Sequence, residues 1–130
     1  MPQTPMISIV DDDESVRTAT EGLIRSLGYR ARTFASAEEF LGSDQLAATA
    51  CLITDVQMPG LSGLDLQDRL IEHGCDMPVI FVTALPEEAI RMRALGAGAA
   101  GFFRKPFDEE SLVECVGRVV TAKEGLFPQL

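Results

Sequence analysis

Three consecutive aspartates, Asp11, Asp12 and Asp13, directly follow a short apolar run at residues 6–10. Adjacent carboxylates repel one another, so the triplet needs either a compensating cation or separate roles for its members. A fourth carboxylate, Asp55, ends another apolar run at residues 50–54. A small set of hard oxygen ligands suits Mg2+, which keeps several of its waters. These residue types indicate a cation site, provided that the fold brings the two segments together.

Two further polar residues also follow apolar runs. Thr83 comes after residues 79–82, and Lys105 comes after residues 101–104. A lysine ammonium is a compact charge for a phosphate oxygen, and a threonine hydroxyl can bond another. A carboxylate can itself act as a nucleophile and form an aspartyl phosphate. Three carboxylates, a hydroxyl and an ammonium are therefore a set suited to phosphoryl transfer.

The elements that must position these residues are five short apolar strands alternating with five helices. The predicted strands are 6–10, 29–34, 50–54, 79–82 and 101–104. Mostly apolar strands in this rhythm predict a parallel sheet covered on both faces, and right-handed crossovers favour a doubly wound α/β fold. Ligands in such sheets bind beyond the carboxyl ends of the strands, where all the polar residues above fall.

Apolar spacing and capping residues predict the helices. A stripe of Val16, Ala19, Leu23 and Leu27 ends at Gly28, and a serine–glutamate capping box at residues 36–39 opens a short second helix. A third helix follows the turn-rich loop 58–63 and runs to Gly74 through Leu66, Leu70 and Ile71. Residues 86–95 predict a fourth helix with a poorly defined apolar stripe. Asp108 is expected to cap a fifth, whose apolar face is Leu112, Cys115, Val116, Val119 and Val120.

Composition limits the class of protein. The chain has 130 residues, 46% of them hydrophobic, and a formal net charge of -9. This predicts one globular domain that binds nucleic acid poorly by itself. Three cysteines without a CxxC pair predict neither disulfides nor zinc and favour the cytoplasm. No signal peptide is expected at residues 1–6, and no apolar run predicts a membrane span.

Four motifs, residues 9–17, 52–66, 79–84 and 101–107, together resemble the receiver (CheY-like) domain of bacterial two-component response regulators. The resemblance implies the flavodoxin-like strand order 2-1-3-4-5. It spans residues 1–122 and leaves 123–130 as a tail or the start of a linker. The stretch "TDVQMPGLSG" is most similar to the FixJ and NarL type, whose members usually continue into a helix-turn-helix domain that binds DNA.

The resemblance implies a role in the site for three of the four aspartates at residues 11–13 and 55. Asp55 would be the phosphoacceptor. Asp12 and Asp55 would bind Mg2+ directly, together with the backbone carbonyl of Gln57, and Asp11 would act through a metal-bound water. Asp13 is expected only to begin the first helix, as acidic residues at that position ordinarily do.

The resemblance also implies the phosphate ligands and a switch. Lys105, Thr83 and the amide of Ala84 would bind the phosphoryl group. Thr83 and Phe102 would form the switch, with Phe102 turning inward as Thr83 moves and remodelling the face of the fourth helix, fifth strand and last helix. The Lys105–Pro106 bond would be cis, against about 5–6% of X-Pro bonds in folded proteins.

The implied function is a phosphorylation switch, not a turnover enzyme. The sole histidine, His73, has no catalytic partner in sequence, so the phosphoryl donor is expected to be a phosphohistidine of a sensor histidine kinase. An output domain or partner protein, a phosphorylation-dependent homodimer, and DNA contact only through a separate domain are further implications. No membrane contact is expected.

Three other interpretations of these residues are weaker. A DxD motif with Asp11 as nucleophile would resemble haloacid-dehalogenase-like phosphatases, but the chain has no room for a substrate cap and that reading leaves "TDVQMPG" unexplained. A receiver that works by docking alone is disfavoured by the full acidic set and Lys105. Residues 96–101 match GxGxxG, yet they follow a helix and precede a strand, the reverse of the dinucleotide fingerprint.

Overall fold

The structure is a computed structural model that describes residues 4–84 and 87–123. Within these residues five strands alternate with five helices, as predicted. The strands are β1 (Met6–Val10), β2 (Arg30–Phe34), β3 (Thr49–Thr54), β4 (Val79–Thr83) and β5 (Gly101–Arg104). The helices are α1 (Glu14–Ser26), α2 (Ala37–Leu41), α3 (Gly63–Glu72), α4 (Glu88–Gly96) and α5 (Glu109–Lys123).

The strands form one parallel sheet in the order β2-β1-β3-β4-β5, which confirms the predicted doubly wound topology. The core is divided between the two faces of this sheet. Phe40, Leu66 and Phe81 belong to the cluster covered by α2, α3 and α4. Ile24 and Val116 belong to the cluster covered by α1 and α5. Burial of apolar area on both faces explains why the central strands are almost continuously hydrophobic.

Side-chain caps fix where the helices begin. Asp13 accepts a hydrogen bond from Val16 N at 3.2 Å, and Asp108 accepts one from Ser111 N at 3.1 Å, so both act as the caps that the sequence predicts. At the start of α2, Ser36 Oγ accepts from Glu39 N at 3.0 Å, which is the serine half of the expected capping box.

The reciprocal capping box lies instead at the start of α3, where the predicted loop 58–63 meets the helix. Ser62 Oγ accepts from Asp65 N at 3.1 Å, and the Asp65 carboxylate accepts from Ser62 N at 3.0 Å. The beginning of α3 is therefore sharply defined by its own residues.

The buried face of α1 differs from the predicted stripe. Thr20 and Ile24 are buried, whereas Ala19 and Leu27 are exposed. A buried threonine is tolerated because its hydroxyl donates to Val16 O one turn earlier, at 2.8 Å. An apolar pattern cannot anticipate a polar core residue that its own helix satisfies.

The apolar prediction for α3 is also wrong at one position. Leu66 and Leu70 are buried, but Ile71 is 53% exposed. The buried neighbour is Gln67, whose Nε2 donates to Ala94 O of α4 at 3.2 Å. A tertiary hydrogen bond thus places a polar side chain where hydrophobicity favoured an isoleucine.

Two predictions concern residues that the structure does not describe. The expected start of the fourth helix at Pro86 lies outside the described residues, and so does the greater part of the tail, residues 124–130. Among the described residues, no helix has the length and apolar character needed to cross a bilayer.

Candidate functional site at the carboxyl edge of the sheet

Backbone hydrogen bonds continue the sheet beyond the strand ends and fix the functional residues. Asp11 N donates to the last carbonyl of β2 at 3.1 Å, and Asp55 N donates to Val10 O at 3.1 Å. Lys105 N donates to Thr83 O at 2.8 Å. These three residues are therefore positioned by the rigid sheet, although they lie on loops, which is the arrangement a reactive site requires.

A shared ammonium group joins the two buried carboxylates. Lys105 Nζ lies 2.9 Å from Asp11 Oδ2 and 2.9 Å from Asp55 Oδ2. Asp11 is 4% exposed and Asp55 is 9% exposed, so the ion pairs are largely shielded from solvent. Buried charges of like sign are tolerated here because a cation bridges them.

The remaining oxygen of each carboxylate is bound by backbone amides. Asp55 Oδ1 accepts from Val56 N at 2.6 Å and from Gln57 N at 3.3 Å. Asp11 Oδ1 accepts from Asp13 N at 2.9 Å. Each side chain is consequently held in one orientation, with one oxygen directed toward the ammonium.

Burial and pairing act in opposite directions on the two partners. Burial raises the pKa of Asp55 above its ordinary value, and the hydrogen bond from Lys105 opposes this rise without cancelling it. Burial lowers the pKa of Lys105, but its hydrogen bonds to Asp11 and Asp55 outweigh that effect and the net shift is upward. The Lys105 ammonium is therefore stabilised in its charged form. Ionisation of Asp55, by contrast, costs free energy, and a further cation near its carboxylate would reduce that cost.

Asp11, Asp12 and Asp55 form the acidic cluster that the sequence predicts. One oxygen from each lies within 4.8 Å of the others. Asp11 and Asp55 are buried while Asp12 is exposed, so the cluster opens to solvent on the side of Asp12. Closely spaced hard oxygens at a solvent-accessible edge fit a Mg2+ ion that retains waters.

The predicted phosphate ligands and switch residues lie along the adjoining strands. Thr83 is buried at the end of β4, and exposed Ala84 follows it. Phe102 of β5 is half-buried, with its ring centroid 6.2 Å from that of Phe81. It packs against the core cluster beneath α4. Lys105–Pro106 is a cis peptide bond, the isomer that is typical of the family the sequence resembles.

A groove runs beside the site between α1 and the loop after β5. Its volume is about 520 Å3. Its lining is mostly apolar and includes Val16, Ala19, Thr20, Ala84, Lys105, Pro106, Phe107 and Glu109. The exposed Ala19 that departs from the predicted core stripe lies on this groove.

Two residues that contact the site or its loop, Arg17 and Glu38, were not predicted from the sequence to do so. Arg17 Nη1 donates to Asp11 O at 2.7 Å, adding a fixed positive charge beside the acidic cluster. Glu38 of α2 accepts from Leu61 N at 3.0 Å. The position of Arg17, one helical turn after the cap Asp13, was an available signal. The Glu38 contact joins residues 23 positions apart and left no local signal.

His73 lies away from this arrangement. It is the C-terminal cap of α3, is exposed, and its Nδ1 lies 2.8 Å from Arg69 O. The "GAGAAG" stretch connects α4 to β5, with Gly98 at φ +100°. Both features have the structural roles that the sequence indicated.

A doubly wound sheet with an acidic cluster and a lysine at its carboxyl edge defines a class of α/β signalling domain. A family model described as the response regulator receiver domain matches residues 7–117. The chain belongs to this family, and it is a receiver domain of the kind found in two-component response regulators. Membership favours the receiver interpretation over the haloacid-dehalogenase-like phosphatase.

Curated relatives are transcriptional and other response regulators. Response regulator protein TmoT of Ectopseudomonas mendocina is 44% identical over 114 residues, which are 88% of this chain and 52% of that protein. Transcriptional regulatory protein FixJ of Azorhizobium caulinodans is 35% identical over 116 residues, 89% of this chain and 55% of that protein. The predicted likeness to FixJ-type regulators is confirmed. The chain spans about half the length of the curated relatives it matches.

Solved structures agree with this assignment. Response regulator StyR gives a TM-score of 0.87 at 35% identity and covers 95% of this chain and 62% of that one. FixJ-N gives a TM-score of 0.82 at 29% identity, with 98% of this chain and 100% of that chain covered. The fold and strand order are therefore those of receiver domains.

Proposed function

We propose that this receiver accepts a phosphoryl group on Asp55 and uses Mg2+ to do so. The observation that carries the proposal is the double contact of Lys105 Nζ with Asp55 and Asp11, each at 2.9 Å, inside an acidic cluster. A structural salt bridge needs one carboxylate, whereas phosphoryl transfer needs a nucleophile, a cation site and a cationic phosphate ligand together.

The chemical step is a displacement at phosphorus. The ionised Asp55 carboxylate attacks the phosphoryl group of a phosphohistidine, forming an acyl phosphate as the P–N bond breaks. The leaving imidazole nitrogen keeps the electron pair. Because Asp55 is held by the amides of Val56 and Gln57, its carboxylate is oriented before the donor arrives.

The residues that would bind the metal are Asp12, Asp55 and the carbonyl of Gln57, with Asp11 acting through a water. Bound there, Mg2+ supplies positive charge to the oxygens of the transferring group. The fit rests on three oxygen donors within 4.8 Å and on the solvent opening beside Asp12. One ammonium against three carboxylates leaves an excess of negative charge for a divalent ion to offset when all are ionised.

The phosphorylated state would draw on Lys105, Thr83 and the Ala84 amide. Lys105 exchanges one carboxylate contact for a phosphoryl oxygen, and the Thr83 hydroxyl binds another. Movement of Thr83 gives Phe102 room to turn inward. Support for this switch comes from the partial solvent exposure of Phe102, whose ring lies beside that of Phe81 and is not fully enclosed by the core.

The wider setting follows from the family. We propose that this receiver acts in the cytoplasm, that a sensor histidine kinase is its phosphodonor, and that it controls an output domain of the same protein or a partner protein. The relatives TdiR and FixJ are transcriptional regulatory proteins, which supports an output in transcription. In this proposal residues 1–122 are the receiver and 123–130 lead toward the output domain. DNA would be bound only by that domain, since the receiver carries a net charge of -9. Phosphorylation would also favour a homodimer.

Intact mass spectrometry with acetyl phosphate and Mg2+ tests the proposal. The wild-type chain should gain one phosphoryl group, which Asp55→Ala abolishes and Asp11→Asn retains. Asp13→Asn is the matched control, because asparagine keeps the helix cap while removing a neighbouring charge. Peptide mapping that places the label on Asp11 would favour the phosphatase. A folded wild-type chain that takes up no phosphoryl group would favour a receiver acting by docking alone.

A further inference from the structure

The loop between Asp55 and α3 is fixed at both of its ends. Where the loop leaves β3, Val56 O accepts a hydrogen bond from Gly63 N at 2.8 Å, which joins the two ends of the loop. At the far end, the capping box of Ser62 and Asp65 defines the first turn of α3. The segment between these anchors, residues 57–62, contains Gln57, whose carbonyl is proposed to bind Mg2+.

The outer part of this loop is held by a different element. Glu38 Oε2, in the first turn of α2, accepts a hydrogen bond from Leu61 N at 3.0 Å. The backbone of Gly60 approaches the same carboxylate so closely that a Cβ at Gly60 would collide with Glu38 Oε2. Gly60 also has φ +78°, a conformation that side chains other than glycine rarely adopt. Both features let one carboxylate bind the loop directly.

We propose that Glu38 is a positioning residue for the metal site: by binding the 57–62 loop, it maintains the position of Gln57 relative to Asp55. This inference rests on the proposed function. Gln57 is already connected to the nucleophile through its N–H, which lies 3.3 Å from Asp55 Oδ1. Movement of the loop therefore changes the position of a proposed metal ligand and one of the hydrogen bonds that orients Asp55.

The charge state of Glu38 agrees with this role. The hydrogen bond from the Leu61 amide is the main cause that lowers the pKa of Glu38 below its ordinary value of 4.5. The carboxylate is thus ionised at neutral pH and makes a charge-assisted bond to the loop. Since Glu38 is exposed, the bond competes with water, and its loss should loosen the loop without unfolding the domain.

A simpler role for Glu38 is to stabilise α2 as an acidic residue in its first turn. Glu39 lies in the same turn, is exposed, and has the same charge. Glu39→Gln is therefore the matched control, because it removes an equal charge from the same helix end. Glu38→Gln tests the bond itself, since its side-chain carbonyl can still accept from Leu61 N.

The first measurement is amide hydrogen exchange by NMR on the metal-free chain. In Glu38→Ala, the Leu61 amide should exchange faster than in wild type, and the Gln57 amide should also change. Glu39→Gln should leave both amides as in wild type. Unchanged exchange at Leu61 in Glu38→Ala would overturn the inference, whatever the metal site does.

The second measurement is calorimetric titration with MgCl2. Glu38→Ala should bind Mg2+ about threefold to tenfold more weakly. This loss is at or below the smallest losses of affinity that are typical when a residue hydrogen-bonded to a metal ligand is removed. Glu38→Gln should recover part of the loss, and Glu39→Gln should match wild type. Equal affinity in wild type and Glu38→Ala, with the wild type taking up phosphoryl groups, would overturn this inference alone. A wild-type chain that neither binds Mg2+ nor is phosphorylated would overturn it together with the proposed function.

Discussion

Lys105 has two carboxylate partners at equal distance, 2.9 Å each. A cation shared in this way compensates both buried charges, but neither partner has it exclusively. The second carboxylate gives the ammonium somewhere to remain bound when one contact is exchanged. Because Lys105 has two partners, it can exchange one of them without becoming an unpaired buried charge.

The carboxyl groups of Asp55, in the site, and Asp65, in the capping box of α3, should titrate in a definite order. Burial raises the pKa of Asp55, whereas hydrogen bonds from Ser62 lower the pKa of Asp65. Carboxyl 13C NMR on the metal-free chain should give a midpoint above 3.8 for Asp55 and below 3.8 for Asp65. The reverse order would contradict the account of burial given for Asp55.

The raised pKa of Asp55 and the lowered pKa of Asp65 change the free energy of unfolding with pH in opposite directions. Asp65 contributes stability that is present above its unfolded-state pKa and is lost as the pH falls through its lower folded-state pKa. For Asp55 the favourable contribution exists below its unfolded-state pKa and disappears as the pH rises through its higher folded-state pKa. At neutral pH, ionised Asp55 thus weakens the metal-free fold, a disadvantage that Mg2+ binding would offset.

Substitutions of the neighbouring residues Asp12 and Asp13 should have different effects, one on Mg2+ affinity and the other on folding stability. Asp13→Ala removes the cap of α1 and should cost about 1 kcal/mol of folding free energy in urea unfolding without metal, while Mg2+ affinity stays near wild type. Asp12→Ala should weaken Mg2+ binding in calorimetry and leave the α1 cap intact. Equal losses of Mg2+ affinity in the two variants would contradict the division of roles within the triplet.

At the scale of elements, α3 begins directly against the backbone of the proposed phosphoacceptor. A Cβ at Gly63 would overlap the Asp55 carbonyl oxygen and approach the backbone of Val56 at 3.1 Å. The glycine is needed here for space, since backbone atoms cannot move aside as a flexible side chain can. Close packing of α3 on residues 55–56 thus couples the helix to the site.

Gly63→Ala should therefore lower the free energy of unfolding by about 3 kcal/mol or more, as severe overpacking does. Gly22→Ala is the control, because Gly22 is an exposed residue of α1 and a Cβ there meets nothing within 4 Å. It should stabilise the chain by about 0.5–1 kcal/mol through helix propensity. Chemical denaturation of both variants measures the difference, and similar unfolding midpoints would show that Gly63 is not sterically constrained.

Element order and the strand ends could be predicted because parallel buried strands and capping residues leave local patterns. Asp13 and Asp108 are recognisable as caps from their own surroundings. The buried faces of α1 and α3 were predicted less well, since Thr20 and Gln67 are satisfied by hydrogen bonds that hydrophobic periodicity does not encode. The contact of Glu38 was not predicted because its partner Leu61 is 23 positions away in the sequence.

For the candidate site, the sequence predicted which residues lie close together but not how their side chains contact one another. Strand topology brings Asp11, Asp55 and Lys105 together, so their proximity followed once a parallel sheet was inferred. The sharing of Lys105 between two carboxylates depends on side-chain distances, which no sequence pattern gives. Within the described residues, every buried side-chain nitrogen or oxygen has a hydrogen-bond partner, so the polar cluster is integrated into the core.

At the scale of the whole molecule, two apolar layers flank the sheet, and two of the three free cysteines lie in the layer beneath α1 and α5. Cys51 is 0% exposed and Cys115 is 2% exposed, and burial raises the pKa of both thiols. Cys75 is only half-buried, at the edge of the opposite layer. Thiolate formation and access are both restricted in the first pair.

Iodoacetamide at neutral pH should therefore modify Cys75 first in the native chain. Cys51 and Cys115 should react only as fast as the domain unfolds, and all three should react in denaturant. Intact mass followed by peptide mapping measures this order. Rapid native labelling of Cys51 would show that the layer beneath α1 and α5 opens far more readily than its packing indicates.

Lys105 and Asp11 are separated by 94 positions, and Lys105 and Asp55 by 50. During synthesis, the first three strands leave the ribosome with their acidic residues well before the lysine that joins them. A nascent or truncated chain would thus present uncompensated carboxylates and no completed acceptor. In the proposed function, competence to accept a phosphoryl group would in this way depend on completion of the domain through β5.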